Sequence, residues 1–442
     1  MDFDEFLSLI EKEAERENVE SWELVYSVSE SLSLSAFQGK IDSFSSQVDS
    51  QVSFRAVINK KEGSASADSL LSVSPKELII KAKEYALNSD NENISTVFEG
   101  CDSYPEKKPY SVKNYTAPEA RLLVLDSLSC LLESDKRIAD TSKVFFDSVK
   151  NESRMANSHG LKLKNESRGN ALTFSIKAED GDDVVTAYKS FDSDFDLIDY
   201  NELSSICTDQ LGARKVDSGV YKVILSPRAV SSLLSAFKGI FTGKANELGL
   251  AKLKDREGEL VASHLLTLID DPLYPGYSFQ RTFDGDGRAT REKSVIENGV
   301  LKTLLYNNEW ALKCNKESTG NGRRGAGRSQ TLPYTFYIQR GETPLERMIE
   351  SCGDGILVDN IKGLHAGANS ISGEFSLESS GFMIEKGRRT HAVKGFTIAG
   401  NFYELLENII AVADDLEFEV SLSSSRCGSP SLLIKELKIA GK

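Results

Sequence analysis

The side chains with the types and spacing for chemistry begin at Asp270 and Asp271 in "LIDDPLYPG" and continue with Asp284 and Asp286 in "TFDGDGRATRE". Four carboxylates among glycines and prolines could chelate a cation, run acid/base chemistry or shape turns. A calcium loop of the EF-hand type needs oxygen ligands at alternate positions, glycine at the sixth and glutamate at the twelfth. Counted from Asp284, Asp286 fits the third position, but Arg288, Ala289 and Val295 fall at the fifth, sixth and twelfth, and the template fails. Adjacent Asp270 and Asp271 in a strand point to opposite faces, so they do not form a dyad. Asp-Pro and Asp-Gly are turn formers, which leaves turn building and strand-end hydrogen bonding.

The run "GNGRRG", Gly320 to Gly325, matches GxGxxG literally. A dinucleotide fingerprint must follow a strand and open a helix, so that phosphate meets the helix N-terminus. Here the glycines lead into "RSQTLPYTFYI", a proline-bearing strand, and the Rossmann reading is rejected. What remains is a loop with Arg323, Arg324 and Arg328, which is either solvated or grips a carboxylate, a phosphate or a peptide backbone. The four histidines, His159, His264, His365 and His391, are not spaced as a zinc pair, and neither HExxH nor HxH occurs. No GxSxG elbow appears. Cys427, in "SSRCGSPS", is flanked by turn residues and an arginine that could lower its pKa, yet it reads as a plain thiol.

The elements that must position these residues follow from periodicity. Phe3, Phe6, Leu7 and Ile10 form one stripe of an amphipathic helix. From Leu24 to Ile58 the pattern alternates, with turns at "FQGKIDSFSS" and "INKKEGSAS", and predicts a meander of strands. Ser74-Pro75-Lys76-Glu77 and Thr116-Ala117-Pro118-Glu119 each open a helix with a capping box, the second ending near Leu132. Val144 to Phe191 alternates as long antiparallel strands, Asp199 to Leu211 is helical, "VYKVIL" is a strand, and Ser226-Pro227 starts a helix with Val230, Leu233, Leu234 and Phe237 on one face. The rest is expected to be mostly strands. Asn298-Gly299 makes a hairpin, and helices are expected near Thr343–Ser351 and Gly400–Ala413. Strands and helices do not alternate regularly. The fold class is therefore α+β with antiparallel sheets and flanking helices, divided as 1–105, 106–212 and a strand-rich 213–442.

Composition sets outer bounds. The 442 residues carry a net charge of −14, which repels nucleic acid unless a local basic patch exists. Six scattered cysteines without a CxxC pair suit a reducing cytoplasm. The N-terminus is acidic where a signal peptide is basic, and no apolar run is long enough to span a bilayer.

Taken in order, "GVYKVILSP", "TLIDDPLYPG", "FDGDGRATREKSVIENGVLKTLLYN", "STGNGRR", "GEFSLESSGFMIEKGR", "TIAGNFYELL" and "PSLLIKELKIAG" resemble the TldD/PmbA proteins, historically called modulators of DNA gyrase. The resemblance covers residues 219–441. The first half matches more loosely, through "GKIDSFSS", "FRAVINKKEGSAS" and "NSHG".

The resemblance implies two kinds of subunit. One is a zinc metallopeptidase with HExxxH on the helix after a "VILSP"-like strand. The other, PmbA or TldE, lacks the motif and pairs with the first. In this chain Ser235 and Ile240 take the histidine positions and Ala236 the glutamate position, so it resembles the non-catalytic kind. The family peptidase also takes a cysteine ligand near its C-terminus, but Cys427 sits in a different local motif and the role is not transferred. Asp270, Asp271 and Pro272 match the family "DDP", and Asp284 with Gly287 its "FDxxG" turn. With Asn321, Gly400 and Asn401 they are expected to be architecture around a cleft. The resemblance thus implies no catalytic residue and no metal in this chain, zinc in a TldD-like partner, and unstructured peptide as substrate. It also implies a heterodimer, or a homodimer in isolation, in the cytoplasm, with no role for a membrane. Two other readings stay open: an interaction protein touching nucleic acid or a gyrase-like target through the arginine loop, and a stand-alone hydrolase.

Overall fold

The computed structural model describes residues 1–89, 96–324 and 329–442. The N-terminal stripe folds as α1 (Phe3–Arg16) and buries Phe3, Phe6, Leu7 and Ile10, with Asp2 and Glu5 capping its start reciprocally. The meander follows as β1 (Ser21–Phe37), β2 (Lys40–Ile58) and β3 (Lys61–Ala67). Both expected capping boxes form, at Ser74 before α2 (Pro75–Leu87) and at Thr116 before α3 (Ala117–Ser134). Next come β4 (Lys143–Asn157), β5 (Lys162–Asp180), β6 (Asp183–Phe191) and α4 (Tyr200–Thr208).

These strands make one antiparallel sheet in the order β3-β2-β1-β4-β5-β6. It runs across the boundary drawn at residue 105, because β1 pairs with β4 along its length from Glu23↔Asn157 to Phe37↔Lys143. Trp22 and Leu24 at one end of β1 lie on the same face as Leu34 and Ala36 at the other, since strand side chains alternate. One end of that face is covered by α1 and α2 around Phe6, Phe54 and Ile79. The other is covered by α3 and α4 around Phe146, Phe174 and Leu128. Between the two helix pairs the face is open.

The second half contains β7 (Gly219–Leu225), α5 (Pro227–Phe237), α6 (Gly243–Glu247), β8 (Leu268–Asp271), β9 (Lys293–Glu297), β10 (Val300–Leu301), α7 (Asn308–Lys313), β11 (Gly322–Arg323), β12 (Gln330–Thr331) and β13 (Thr335–Ile338). It continues with α8 (Leu345–Cys352), β14 (Gly355–Lys362), α9 (Leu364–Gly367), β15 (Glu374–Glu385), β16 (Arg388–Asn401), α10 (Phe402–Glu407), β17 (Ile409–Val412), β18 (Glu417–Phe418), β19 (Arg426–Ser429) and β20 (Leu432–Ala440). One sheet runs β16-β15-β14-β7-β20-β17, and β16 also pairs with β20, which closes it into a barrel. A second sheet runs β10-β9-β8-β13-β19-β18. Two pairings, β7 with β14 and β13 with β19, are parallel. The chain is α+β, and no helix among the described residues is long and apolar enough to cross a membrane.

Three local expectations need correction. The helix expected over Gly400–Ala413 stops at Glu407, because the β-branched run that follows pairs with β20 as β17. The strand read through "RSQTLPYTFYI" is interrupted at Pro333, which has no N–H for a ladder, so β12 and β13 belong to different sheets. The long stretch between α6 and β9 is mostly turns rather than strands, with β8 its one strand among the described residues. The Asn298-Gly299 hairpin forms as read, both residues at positive φ (49° and 80°), as the mirror-image turn requires.

Candidate functional site

The four aspartates are buried and fully engaged. On β8, Asp270 accepts hydrogen bonds from the Tyr334 N–H (2.6 Å), Asn321 Nδ2 (2.7 Å) and Lys293 Nζ (2.9 Å). Asn321 also accepts from Thr319 Oγ1 and Lys293 Nζ. Asp270, Asn321 and Lys293 thus tie β8, β9 and the segment before β11 into one polar knot. Asp271 points the other way, as strand alternation requires, and accepts from the Leu273 N–H across Pro272 (2.8 Å), with Lys108 Nζ at 3.5 Å. The Pro272 carbonyl accepts from the Arg281 N–H.

Asp284 folds its own turn. Its carboxylate accepts from the backbone N–H groups of Asp286 (2.9 Å), Arg288 (2.9 Å) and Gly322 (2.7 Å). Burial, and then the neighbouring Asp286 charge, push Asp284 up to about 7. Burial acts upward on Asp286 too, but the Arg324 guanidinium outweighs it and holds that carboxyl below its ordinary range. Gly287 has φ +82°, and a Cβ there would lie 3.1 Å from Leu161 and 3.2 Å from Met155, so the turn presses on the N-terminal sheet. Tyr104 donates to the Gly287 carbonyl from the same side.

Arg324 is spent inside the protein. It reaches Asp286 at 2.8 Å and Glu23 of β1 at 3.5 Å. Glu23 also pairs with Arg55 at 3.0 Å, and Arg55 with Glu62 at 3.0 Å. Burial opposes its charge, but Glu23 and Asp286 raise the Arg324 pKa. Arg323 donates to Ser424 Oγ and lies over the Tyr334 ring. Arg328 falls outside the described residues. Arg324 is therefore a joint between the N-terminal sheet and the Asp284 turn, and Arg323 is held within the C-terminal half, where the sequence left open a solvated or ligand-gripping loop. Alternation hides the joint: Glu23 and Arg55 pair across β1 and β2 on the face opposite Trp22, Leu24, Phe54 and Ala56, so the pattern reads them as outward, and they are buried on the side away from α1 and α2.

Asn401 and Gly400 lie elsewhere, on the barrel. Asn401 caps α10 through the Tyr403 N–H and donates to the Ser372 carbonyl. Gly400 lets Phe375 and Leu437 close over it, since a Cβ would sit 3.1 Å from each. Neither approaches the aspartates.

Where the resemblance expects the zinc motif, Ser226 caps α5 and Pro227 opens it, as read from the sequence. Leu233, Leu234 and Phe237 are buried, and Phe237 stacks on Phe402 with ring centres 4.6 Å apart. Ser235 and Ala236 are half-buried on the helix. Ile240 lies beyond it, buried in the 3₁₀ turn Lys238–Phe241. The tertiary fold brings Cys427 of β19 to this place, where its thiol meets the Ser235 hydroxyl, with Lys238 and Glu419 nearby. Burial pushes the Cys427 thiol up to about 12. The contact was not read from the sequence. Burial also pushes Glu419 up to about 7. Among the described residues no three His, Cys, Asp or Glu side chains converge as a metal set. A hydroxyl, a methyl and an isoleucine beside a single thiol do not make a zinc set.

Family models match along the chain: a PmbA/TldA metallopeptidase domain 1 over residues 22–86, a central domain over 110–217 and a C-terminal domain over 218–441. The chain is 25% identical over 423 residues to the metalloprotease PmbA homolog of Haemophilus influenzae, covering 93% of this chain and 90% of the relative. It is 28% identical over 244 residues to the metalloprotease TldD homolog of Buchnera aphidicola, covering 52% and 50%. The crystal structure of TldE from Thermococcus kodakarensis superposes with a TM-score of 0.87 at 25% identity, covering 98% of this chain and 99% of that one. The three-part match, the full-length relative and the shared architecture agree: the chain belongs to the PmbA/TldD metallopeptidase family.

Proposed function

We propose that this chain is the PmbA/TldE-type, non-catalytic subunit of a cytoplasmic two-subunit peptidase that degrades or trims unstructured peptides. A TldD-like subunit supplies the zinc and the general base, and this chain supplies architecture around the shared cleft. In isolation the chain pairs with itself. The observation that carries the reading is the cluster at α5, where Ser235, Ala236 and Ile240 take the motif positions expected from the resemblance and the buried Cys427 thiol lies beside Ser235. A metal-activated water needs imidazole or thiolate donors and a carboxylate base, and a hydroxyl and two alkyl groups supply neither. The net charge of −14 and the pairing of Arg324 with Glu23 and Asp286 speak against the gyrase-directed reading.

The test incubates a disordered peptide with zinc and this chain, alone and with a TldD-like subunit, followed by mass spectrometry. Cleavage is expected only in the mixture and is abolished by chelator. Cleavage by the chain alone that survives re-purification and is lost on a substitution in this chain overturns the assignment.

A further inference from the structure

The outer edge of β2 carries an unpaired stretch of main chain. β2 bonds β1 along its whole length, but β3 covers its other edge only from Val52↔Ala67 to Ile58↔Lys61. At the opposite end a bulge at Asp42, set by the shift from Ser35↔Ser43 to Ala36↔Ile41, bends the strand. Ser50 Oγ donates to the Asp68 carbonyl where β3 leaves off. Ser43 to Asp49 lie between, exposed on the strand, and no backbone hydrogen bond among the described residues reaches their outer side.

The polarity of that edge follows from its turns. The two-residue hairpin at Asn59-Lys60 makes Ile58 and Lys61 a hydrogen-bonded pair, so alternate residues back from Ile58 aim their N–H and C=O outward. In the free stretch these are Phe44, Ser46 and Val48. Natural sheets blunt open edges with lysine, proline or a covering loop. The segment "SFSSQVD" has neither lysine nor proline, and it exposes 58% of Phe44 and 70% of Val48 on one face.

We infer that this edge pairs antiparallel with the same edge of a second copy of the chain, about a twofold axis at Ser46. The free stretch is symmetric about Ser46, with the bulge bounding one end and β3 the other, so two copies fit without either β3 obstructing. The register joins hydrogen-bonding residues to hydrogen-bonding residues: Ser46 with its own copy, and Phe44 with Val48 of the other copy in both directions. Four apolar side chains then form one patch, while Ser45 faces Gln47 and Ser43 faces Asp49 on the polar face. No like charges oppose each other, and two six-stranded sheets become one. The inference deepens the pairing part of the proposed function by naming its surface, and it does not depend on the peptidase chemistry.

The experiment measures the mass of the full chain in solution by light scattering, for the wild type, Ser46→Pro and Val48→Lys, with circular dichroism to check folding. Proline removes an N–H that faces away from β1, so the internal ladder is kept. The wild type is expected to be a dimer and both variants folded monomers. In a Cys130→Ser background, Ser46→Cys should oxidise to a covalent dimer, because hydrogen-bonded partners lie at about 5.5 Å between Cα atoms, within disulfide reach. Ser43→Cys should not, being off the axis. A dimer that survives Ser46→Pro and Val48→Lys, or one that fails to cross-link at Ser46, overturns the edge while leaving subunit pairing intact. A monomeric wild type overturns pairing with a second copy. If that monomer takes up a TldD-like subunit and loses it on Ser46→Pro, the edge belongs to the heterologous subunit and the homotypic register is refuted.

Discussion

Replacing Arg324 by methionine should destabilise the protein through two carboxylates at once. The substitution keeps an unbranched apolar stem but removes the cation between Asp286, 3% exposed, and Glu23, 2% exposed. At about 3 Å and an effective dielectric of about 20, each ion pair is worth roughly 5 kcal/mol before desolvation is counted. Much of that is offset by the burial of the ions, so the informative quantity is the cost of leaving partners uncompensated, about 3–5 kcal/mol. Here each carboxylate keeps other partners: Asp286 the Asn308 N–H at 3.0 Å, and Glu23 the Arg55 guanidinium at 3.0 Å. The expected loss is therefore at the lower end, about 3 kcal/mol. Urea unfolding of the wild type, Arg324→Met, Glu23→Gln and the double variant gives the coupling directly. A coupling of about 1 kcal/mol or more between Arg324 and Glu23 is expected for groups in one network. Amide exchange should rise both near Glu23 in β1 and in the Asp284 turn, because the arginine joins them. A loss below about 1 kcal/mol for Arg324→Met, the level of an exposed pair, would refute the buried-joint argument.

Asp284 gives a pH signature of known sign. Its folded pKa, about 7, lies above the unfolded value of about 3.9, so between the two the folded state holds more protons and stability falls as pH rises. The contribution is full below about pH 4 and lost through about pH 7, and Asp284→Asn should flatten that part of the urea-midpoint profile. Gly287→Ala must place a side chain at φ +82° and against Leu161 and Met155, so a loss of about 1–3 kcal/mol is expected in urea unfolding, with wild-type stability the disproving result. Restoring the motif with Ser235→His, Ala236→Glu and Ile240→His should give only weak zinc uptake by elemental analysis and a lowered urea midpoint, because Ile240 is buried and no second shell is built around the new ligands. Tight one-to-one zinc without loss of stability would contradict this.

Local rules made much of the fold legible. The stripe of α1, the capping boxes at Ser74 and Thr116, the Asn298-Gly299 turn and the alternation of β1 to β6 are set by residues within a few positions of one another. Short-range sterics and hydrogen bonding therefore decide them. The Asp284 turn is of the same kind, since two of its three donors lie within four residues. Where a segment had to choose between partners, local rules failed. Ile409 to Val412 could continue a helix, and became a strand because β20 offered an unpaired edge. The joint of Glu23, Arg324 and Asp286 and the meeting of Ser235 with Cys427 connect residues far apart in the chain. Only the packing of the sheets could bring them together. The sequence by itself set Ser235, Ala236 and Ile240 where the resemblance expects the zinc motif. The tertiary structure decided that Arg324 of the glycine loop serves an internal joint, and that the Cys427 thiol is buried beside Ser235.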